Sequence, residues 1–420
     1  MEKRHPWSWV PSLYFAEGLP YVVVMTLSVI MYKRMEVSNA EIALYTSWLY
    51  FPWVIKPVWS PFVDLVKTKR WWVVTMQLLI GAGMAGVAFT LPGDFFLRFT
   101  LAFFWLMAFS SATHDIAADG FYMLGLSEEQ QAFFIGIRNT FYRIAMLTGQ
   151  GLLVMLAGYL EESTGRIPFA WSLVFFVLAG LFIGLALWHR YAMPSPTADR
   201  QRESVGPAAV LRGFGDTFVS FFRKPGIGIA ILFMLTYRLG ESQLVKLASP
   251  FLLDARDAGG LALSTGQVGF AYGTVGVIAL LLGGILGGMA ISRHGLKKWL
   301  WPMALAISLP NLVYLYMAYA MPENVFLVNA CVAVEQFGYG FGFTAYTMYL
   351  ILFSEGEYKT SHYAICTGFM ALGMMLPGMI SGWIQEMIGY RYFFIWVMIC
   401  CVPLFLVLPF LKVKSSGPED

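Results

Sequence analysis

Long apolar stretches recur along the entire chain, and no other feature limits its fold so tightly. A bilayer core takes about 20 mostly apolar residues in helical form. Twelve stretches meet that measure, near 8–31, 41–63, 71–91, 95–124, 131–160, 168–189, 226–253, 264–291, 299–320, 323–351, 361–387 and 391–411; they are spans 1 to 12 below. Within lipid every backbone polar group must be satisfied inside the structure, which leaves helices or a closed barrel. Barrel strands run to about ten residues of strict alternation, and these stretches do not alternate. The expected fold is all-α and integral to the membrane, with twelve transmembrane helices. Composition agrees: 13% of residues are charged and 58% hydrophobic, where a soluble domain is about 25% charged. A net charge of +3 is too small to point to nucleic acid. The expected partners are membrane lipid and a small solute, and the chain is expected to act as a monomer.

The start carries a short basic flank, Lys3 and Arg4, with no small-residue cleavage site before apolar sequence resumes. It reads as a first span, not a cleaved signal. With the N-terminus inside, the inner loops and tails hold Lys67, Lys69, Arg70, Arg190, Arg200, Arg202, Arg212, Arg223, Lys224, Arg293, Lys297, Lys298, Lys359, Lys412 and Lys414. The outer loops hold only Lys33, Arg34, Arg98, Arg166, Arg256 and Arg391. Basic residues concentrate on the cytoplasmic side, so both termini are expected there. The main break falls after span 6: an N-terminal half 1–190, a linker 191–225 and a C-terminal half 226–420. In the linker Val210, Leu211, Phe214, Phe218, Phe221 and Phe222 have helical spacing, which predicts an amphipathic helix on the inner membrane surface. Cys331, Cys366, Cys400 and Cys401 lie in apolar runs with no metal-like spacing, so no disulfide, metal or cofactor is expected.

A loop pattern repeats after the second span of each half. The first copy runs Ser60-Pro61-Phe62-Val63-Asp64 and then Lys67, Lys69 and Arg70; the second runs Gly288 to Ser292, then Arg293, Lys297 and Lys298. Both resemble the loop signature of the major facilitator superfamily, which implies two six-helix halves related in parallel. Such a charge cluster at a helix end can latch the halves in one state. Asp64, Lys69, Arg70 and Arg293 are the gating candidates, with Ser292 in the acid's place making the second copy weaker.

Ionisable groups at membrane depth cost roughly 2.5–3.5 kcal/mol each on insertion scales and mark functional sites. Here they cluster. Glu17 lies in a Gly/Pro-interrupted part of span 1. Lys56, between Pro52 and Pro57, either is structural or snorkels toward Asp64. Asp115 and Asp119 on span 4 are four apart and share a helix face; both cannot be ionised side by side without repulsion, so they are candidates for carrying a proton. The alternative is a permanent ion partnership with span 5. His114 beside them reads as a hydrogen-bonded core residue. Span 5 offers Arg138, Asn139, Tyr142 and Arg143; Arg143 can hold a span 4 aspartate or a solute anion, and Arg138 pairs nearer the inner end. Span 7 offers Arg238, Glu241, Gln243 and Lys246; span 10 offers Glu335, Gln336 and, beyond Gly338, Gly340 and Gly342, Tyr346. The proton-coupling candidates are Glu17, Asp115, Asp119, Glu241 and Glu335. The solute-binding candidates are Asn139, Tyr142, Arg143, Arg238, Gln243, Lys246, Gln336 and Tyr346.

The charged motif Ser110-Ser111-Ala112-Thr113-His114-Asp115-Ile116-Ala117-Ala118-Asp119 resembles that of the AmpG-type muropeptide permeases and the related acetyl-CoA transporters. Phe15 to Pro20, Lys56 to Asp64, Tyr142 to Gly149, Tyr237 to Glu241, Glu335 to Gly340 and Ser381 to Trp383 agree in order, covering nearly the whole chain. The resemblance implies a proton-driven importer in a bacterial inner membrane. Its solute would be polar and anionic, most simply an anhydro-muropeptide or N-acetylated amino sugar from cell-wall recycling. It carries functional roles onto Asp115, Asp119, Arg143, Arg238 and Glu241. His114 stands where the permeases usually have Gln, and Glu17 is an addition. An acyl-CoA or nucleotide-like anion is the alternative solute, and a non-transporting receptor the alternative class. An enzyme is disfavoured, since the five His residues form no metal or nucleophile pattern.

Overall fold

A computed structural model describes residues 5–195, 199, 207–356 and 359–413, with residues 61, 64, 65, 128, 132, 135, 207–214 and 360 described by backbone alone. The described residues form helices and turns without strands. Helix starts follow the local sequence. Ser38, Thr68, Ser127, Ser264 and Asn324 each accept a hydrogen bond from a first-turn N–H of the helix that follows, satisfying donors that lipid cannot. Gly165, at φ 64°, closes span 5 in the left-handed conformation.

Nine helices among the described residues are long and apolar enough to cross a membrane. The expected twelve are not matched one for one. The 50-residue helix Ser361–Phe410 is broken at Gly389, where φ is 74° and ψ 166°, so spans 11 and 12 count separately. Spans 2 and 7 are interrupted, as Asn39–Trp48 with Phe51–Leu65 and as Ile227–Thr236 with Leu239–Leu253, and neither is among the nine. Span 1 widens into a π turn at Val23–Leu27 just after Pro20, and span 5 does so at Thr148–Leu152. There the two helices meet so closely that a Cβ on Gly149 would lie 2.5 Å from Val22 Cγ1.

Packing divides the chain into two units, Met1–Met31 with Ile55–Phe214, and Tyr32–Val54 with Gly215–Asp420. Sequence order alone would place Tyr32–Val54 with the first half. The first unit's core gathers Trp9, Tyr14, Phe121 and Tyr122. That of the second gathers Phe221, Phe233, Tyr237, Tyr346 and Tyr349. In the second unit the span 10 glycines serve close packing: a Cβ on Gly340 would collide with the Leu280 carbonyl of span 8, and one on Gly338 with the Ala306 carbonyl of span 9. Large apolar side chains such as Phe89, Phe326 and Leu406 are exposed, as a surface facing hydrocarbon allows.

The linker does contain a helix, Pro207–Phe222, whose last part, Gly215–Phe222, meets Ile227–Leu253 at a bend of 92°. Phe221 is fully buried against Phe353, His362 and Phe369, so this end of the helix docks on protein. Val219 and Phe222 stay exposed. Val210, Leu211 and Phe214 have side chains outside the described residues.

Candidate functional site

Four helices of the first unit bring one ion cluster together. Asp115 and Asp119 are a turn apart on Phe96–Gly125, Glu17 comes from Val10–Val22, Lys56 from Phe51–Leu65 and Arg138 from Glu128–Leu147. Lys56 and Asp115 form a close ion pair. Arg138 Nη2 pairs with Asp119 Oδ1 at 2.9 Å, and the Tyr14 hydroxyl donates to the same oxygen at 3.2 Å. The guanidinium also lies 4.4 Å from the Tyr14 ring centre and 5.7 Å from that of Tyr122, a geometry that favours a cation. Glu17 is buried, and its Oε2 has no partner among the described residues. The cluster therefore sets three acids against two bases.

Arg138 and not Arg143 holds the span 4 acid. Five residues turn a helix by about 140° beyond a full turn, so the two arginines face different ways. Arg143 is half-buried and makes no ion pair or hydrogen bond among the described residues. Asn139 is exposed and Tyr142 half-buried. Lys56, which had Asp64 as its expected neighbour, instead faces Asp115. The Asp64 side chain lies outside the described residues. Behind span 4 a buried polar chain runs from Ser12 Oγ to His189 Nε2, from His189 Nδ1 to Gln77 Oε1, and from Gln77 Nε2 to His114 Nε2, each at 2.9 Å. His114 is thus a bonded core residue, as its sequence setting suggested.

In the second unit Arg238 sits at the break between Ile227–Thr236 and Leu239–Leu253. It grips Glu241 with two bonds of 2.9 Å and donates to the Tyr339 hydroxyl at 2.9 Å. The break is braced by Tyr237, which donates to Gly342 O, and by Tyr346, which donates to Met234 O, both at 2.7 Å. Their rings stack with centres 4.8 Å apart. Tyr346 is fully buried in this brace. Gln243 is likewise spent, accepting from Trp396 Nε1 at 2.7 Å and donating to Cys400 Sγ at 3.0 Å. Lys246, 1% exposed, donates to Thr46 Oγ1 at 3.0 Å and lies 5.1 Å from the Tyr50 ring centre. Glu335, 5% exposed, accepts from Gln336 Nε2 at 2.9 Å. Among the described residues Lys246 has no carboxylate within ion-pair distance, and Glu335 no cation.

The first inner loop is tied within its own unit. Asp199 accepts from the backbone N–H of Lys69 at 2.7 Å and of Arg70 at 3.1 Å, and Arg70 Nη1 donates to Ser195 Oγ at 2.8 Å. Lys69 is buried; Arg293, in the last turn of Val277–His294, is exposed. Sequence reasoning missed Asp199, Tyr339, Thr46 and Tyr50 as partners, because none carries a motif and each meets its ion through folding alone.

A helical chain with ion clusters on interrupted, membrane-length spans has the make-up of a secondary transporter, and known structures share its fold. The fold matches a nucleoside transporter, NupG, with TM-score 0.72 over 99% of this chain and 100% of that one at 16% identity. It matches a D-xylose–proton symporter with TM-score 0.70 over 98% of each chain at 13% identity. Both likenesses establish the fold. Residues 16–236, just over half of the chain, match the BT1 family, and the chain belongs to that family. It is similar to the anhydromuropeptide permease of Escherichia coli K12, at 25% identity over 94% of this chain and 77% of that protein. It is equally similar, at 25% identity over 96% of both chains, to AmpG 4 of Rickettsia conorii. The chain is thus a BT1-family protein with the fold of these transporters, and it is similar over nearly its whole length to AmpG-type permeases.

Proposed function

We propose that the protein imports an anionic N-acetylated amino sugar or anhydro-muropeptide together with protons, by alternating access, across a bacterial inner membrane with both termini cytoplasmic. One observation carries this reading. Three ion pairs at membrane depth satisfy themselves, the half-buried Lys56–Asp115 and Arg138–Asp119 and the more deeply buried Arg238–Glu241. Of the candidate residues, and among the described residues, each unit keeps an acid without a cation and a cation without an acid: Glu17 and Arg143 in the first, Glu335 and Lys246 in the second. A charge left over at membrane depth is costly. An anion that settles on Arg143 or Lys246 neutralises that cation and leaves the matching acid's charge uncompensated; a proton on Glu17 or Glu335 restores balance. Anion and proton then travel as a neutral pair.

The relatives' names supply the solute class, and the unpaired cations fit the lactyl carboxylate of a muramic acid. The test is uptake of labelled 1,6-anhydro-N-acetylmuramic acid and its peptide into proteoliposomes, with and without a proton gradient. Gradient-dependent accumulation supports the reading. Accumulation of acetyl-CoA in its place would move the solute class, and binding of the sugar without uptake would make the protein a receptor.

A further inference from the structure

Tyr32–Val54 leaves span 1 and forms the first part of span 2, yet it packs as part of the second unit. Two sets of bonds hold this strap. At its start Lys33 Nζ pairs with Asp254 Oδ1 at 2.6 Å and donates to Asn39 Oδ1 at 2.9 Å. Asn39 Nδ2 donates to Gln385 Oε1 at 2.7 Å and to the Tyr390 hydroxyl at 2.9 Å, and that hydroxyl donates to Asp254 Oδ2 at 2.5 Å. Lys33, Asp254, Tyr390 and Asn39 thus close a ring. Near its end Thr46 accepts from Lys246, and Tyr50 lies under the same ammonium. Between the two, the Asn39 carbonyl presses on Gly382, where a Cβ would collide with it, and Ser47 Oγ would lie 2.6 Å from a Cβ on Gly378.

The contact at Lys246 differs in kind from the ring. An ammonium offers three donors, and Thr46 is the hydrogen-bond acceptor given to it among the described residues. A neutral hydroxyl is a weak partner for a buried cation; a carboxylate is a far stronger one. We propose that Thr46 reports the occupancy of Lys246 to the strap: a carboxylate on Lys246 displaces Thr46 and loosens Tyr32–Val54 from the second unit. By linkage, a seated strap weakens the anion's hold by the same factor. The inference rests on the assignment of Lys246 as an anion site above, and it adds the element that the site controls. The strap is joined along the chain, at Met31–Tyr32 and Val54–Ile55, to residues of the first unit.

The test uses the full chain in nanodiscs carrying Ser47→Cys, a buried position, with N-ethylmaleimide labelling of the Ser47 peptide followed by mass spectrometry. Thr46→Val keeps the side-chain shape and removes the acceptor; Asp254→Asn keeps the shape and breaks the ring's ion pair. Each is expected to speed labelling, roughly fivefold for one lost hydrogen bond. 1,6-Anhydro-N-acetylmuramic acid should speed labelling of the parent but not of Thr46→Val or Lys246→Met. 1,6-Anhydro-N-acetylglucosamine, which lacks the carboxylate, should not speed it. Labelling at the parent rate in both Thr46→Val and Asp254→Asn overturns the strap. An acid that raises the melting temperature yet leaves the rate unchanged overturns the coupling while the solute assignment stands. Faster labelling in both variants with no binding of the acid supports the strap and defeats that solute.

Discussion

Glu17→Gln isolates the proton. With Glu17, Asp115 and Asp119 against Lys56 and Arg138, the cluster is neutral with one proton and carries one negative charge without it. The substitution keeps the shape of the side chain and gives a cluster neutral with no proton at all. No ion pair is broken, because Glu17 has none among the described residues, so the variant should fold normally. Asp119→Asn, by contrast, strands Arg138. Removing one partner of a buried pair costs roughly 3–5 kcal/mol, and the 35% exposure of Asp119 lowers that to about half, enough for a clear fall in melting temperature. A gradient of one pH unit is worth about 1.4 kcal/mol per proton, or roughly tenfold accumulation. Parent proteoliposomes with such a gradient should therefore concentrate labelled 1,6-anhydro-N-acetylmuramic acid about tenfold if one proton moves per solute. Glu17→Gln should equilibrate the sugar across the membrane without concentrating it, while exchanging inside label for outside sugar at near the parent rate. Tenfold accumulation by Glu17→Gln would refute the charge count. Roughly hundredfold accumulation by the parent would instead require a second proton, for which Glu335 is the acid.

Four further outcomes follow from the same geometry. Arg143→Ala should abolish uptake while leaving the melting temperature within a degree or two, since Arg143 has no bond to lose among the described residues; a large fall in stability would make it structural. Asp115→Asn should abolish gradient-driven uptake and lower stability through the stranded Lys56, and Asp115→Asn with Lys56→Met should recover stability but not uptake. Gly340→Ala should cost about 1–3 kcal/mol by overpacking against the Leu280 carbonyl, read as reduced thermal stability or yield in detergent. Tyr346→Phe should lower stability by about 1 kcal/mol through the lost bond to Met234 O, with the solute's apparent affinity unchanged; a tenfold loss of affinity would return Tyr346 to the solute site.

The helices were legible in the sequence because hydropathy over about 20 residues is an averaged property that single exceptions do not disturb. The shared face of Asp115 and Asp119 was legible because four residues are one helical turn. Partners were not. Whether Arg138 or Arg143 meets Asp119 depends on how span 5 is rotated, and depth along the chain says nothing about rotation. Lys56 sits between two prolines, and its turn toward Asp115 follows from the packing of spans 2 and 4. Gln243 and Tyr346 looked like solute contacts because they are polar residues in apolar sequence; folding spends both on bracing interrupted helices. The allegiance of Tyr32–Val54 to the second unit contradicts chain order and is written only in its contacts with Gly378, Gly382, Lys246 and Asp254.

The two units repeat a joint between their first and fourth helices, with the chemistry exchanged. In the first unit a tyrosine of span 1, Tyr14, bonds an ion of span 4, Asp119. In the second an ion of span 7, Arg238, bonds a tyrosine of span 10, Tyr339. The exchange has a consequence for which unit can respond to a proton. Arg238 keeps Glu241 on its own helix, so its charge is satisfied whatever span 10 does, and the joint with Tyr339 is an accessory. Asp119 finds its cation on span 5 and its hydroxyl on span 1, so its charge ties three helices together. Neutralising Asp119 would weaken both ties at once, since a charged acceptor binds roughly twice as strongly as a neutral one. Neutralising Glu241 would loosen a pair confined to one helix. The first unit is therefore the one whose helix packing depends on where the proton sits.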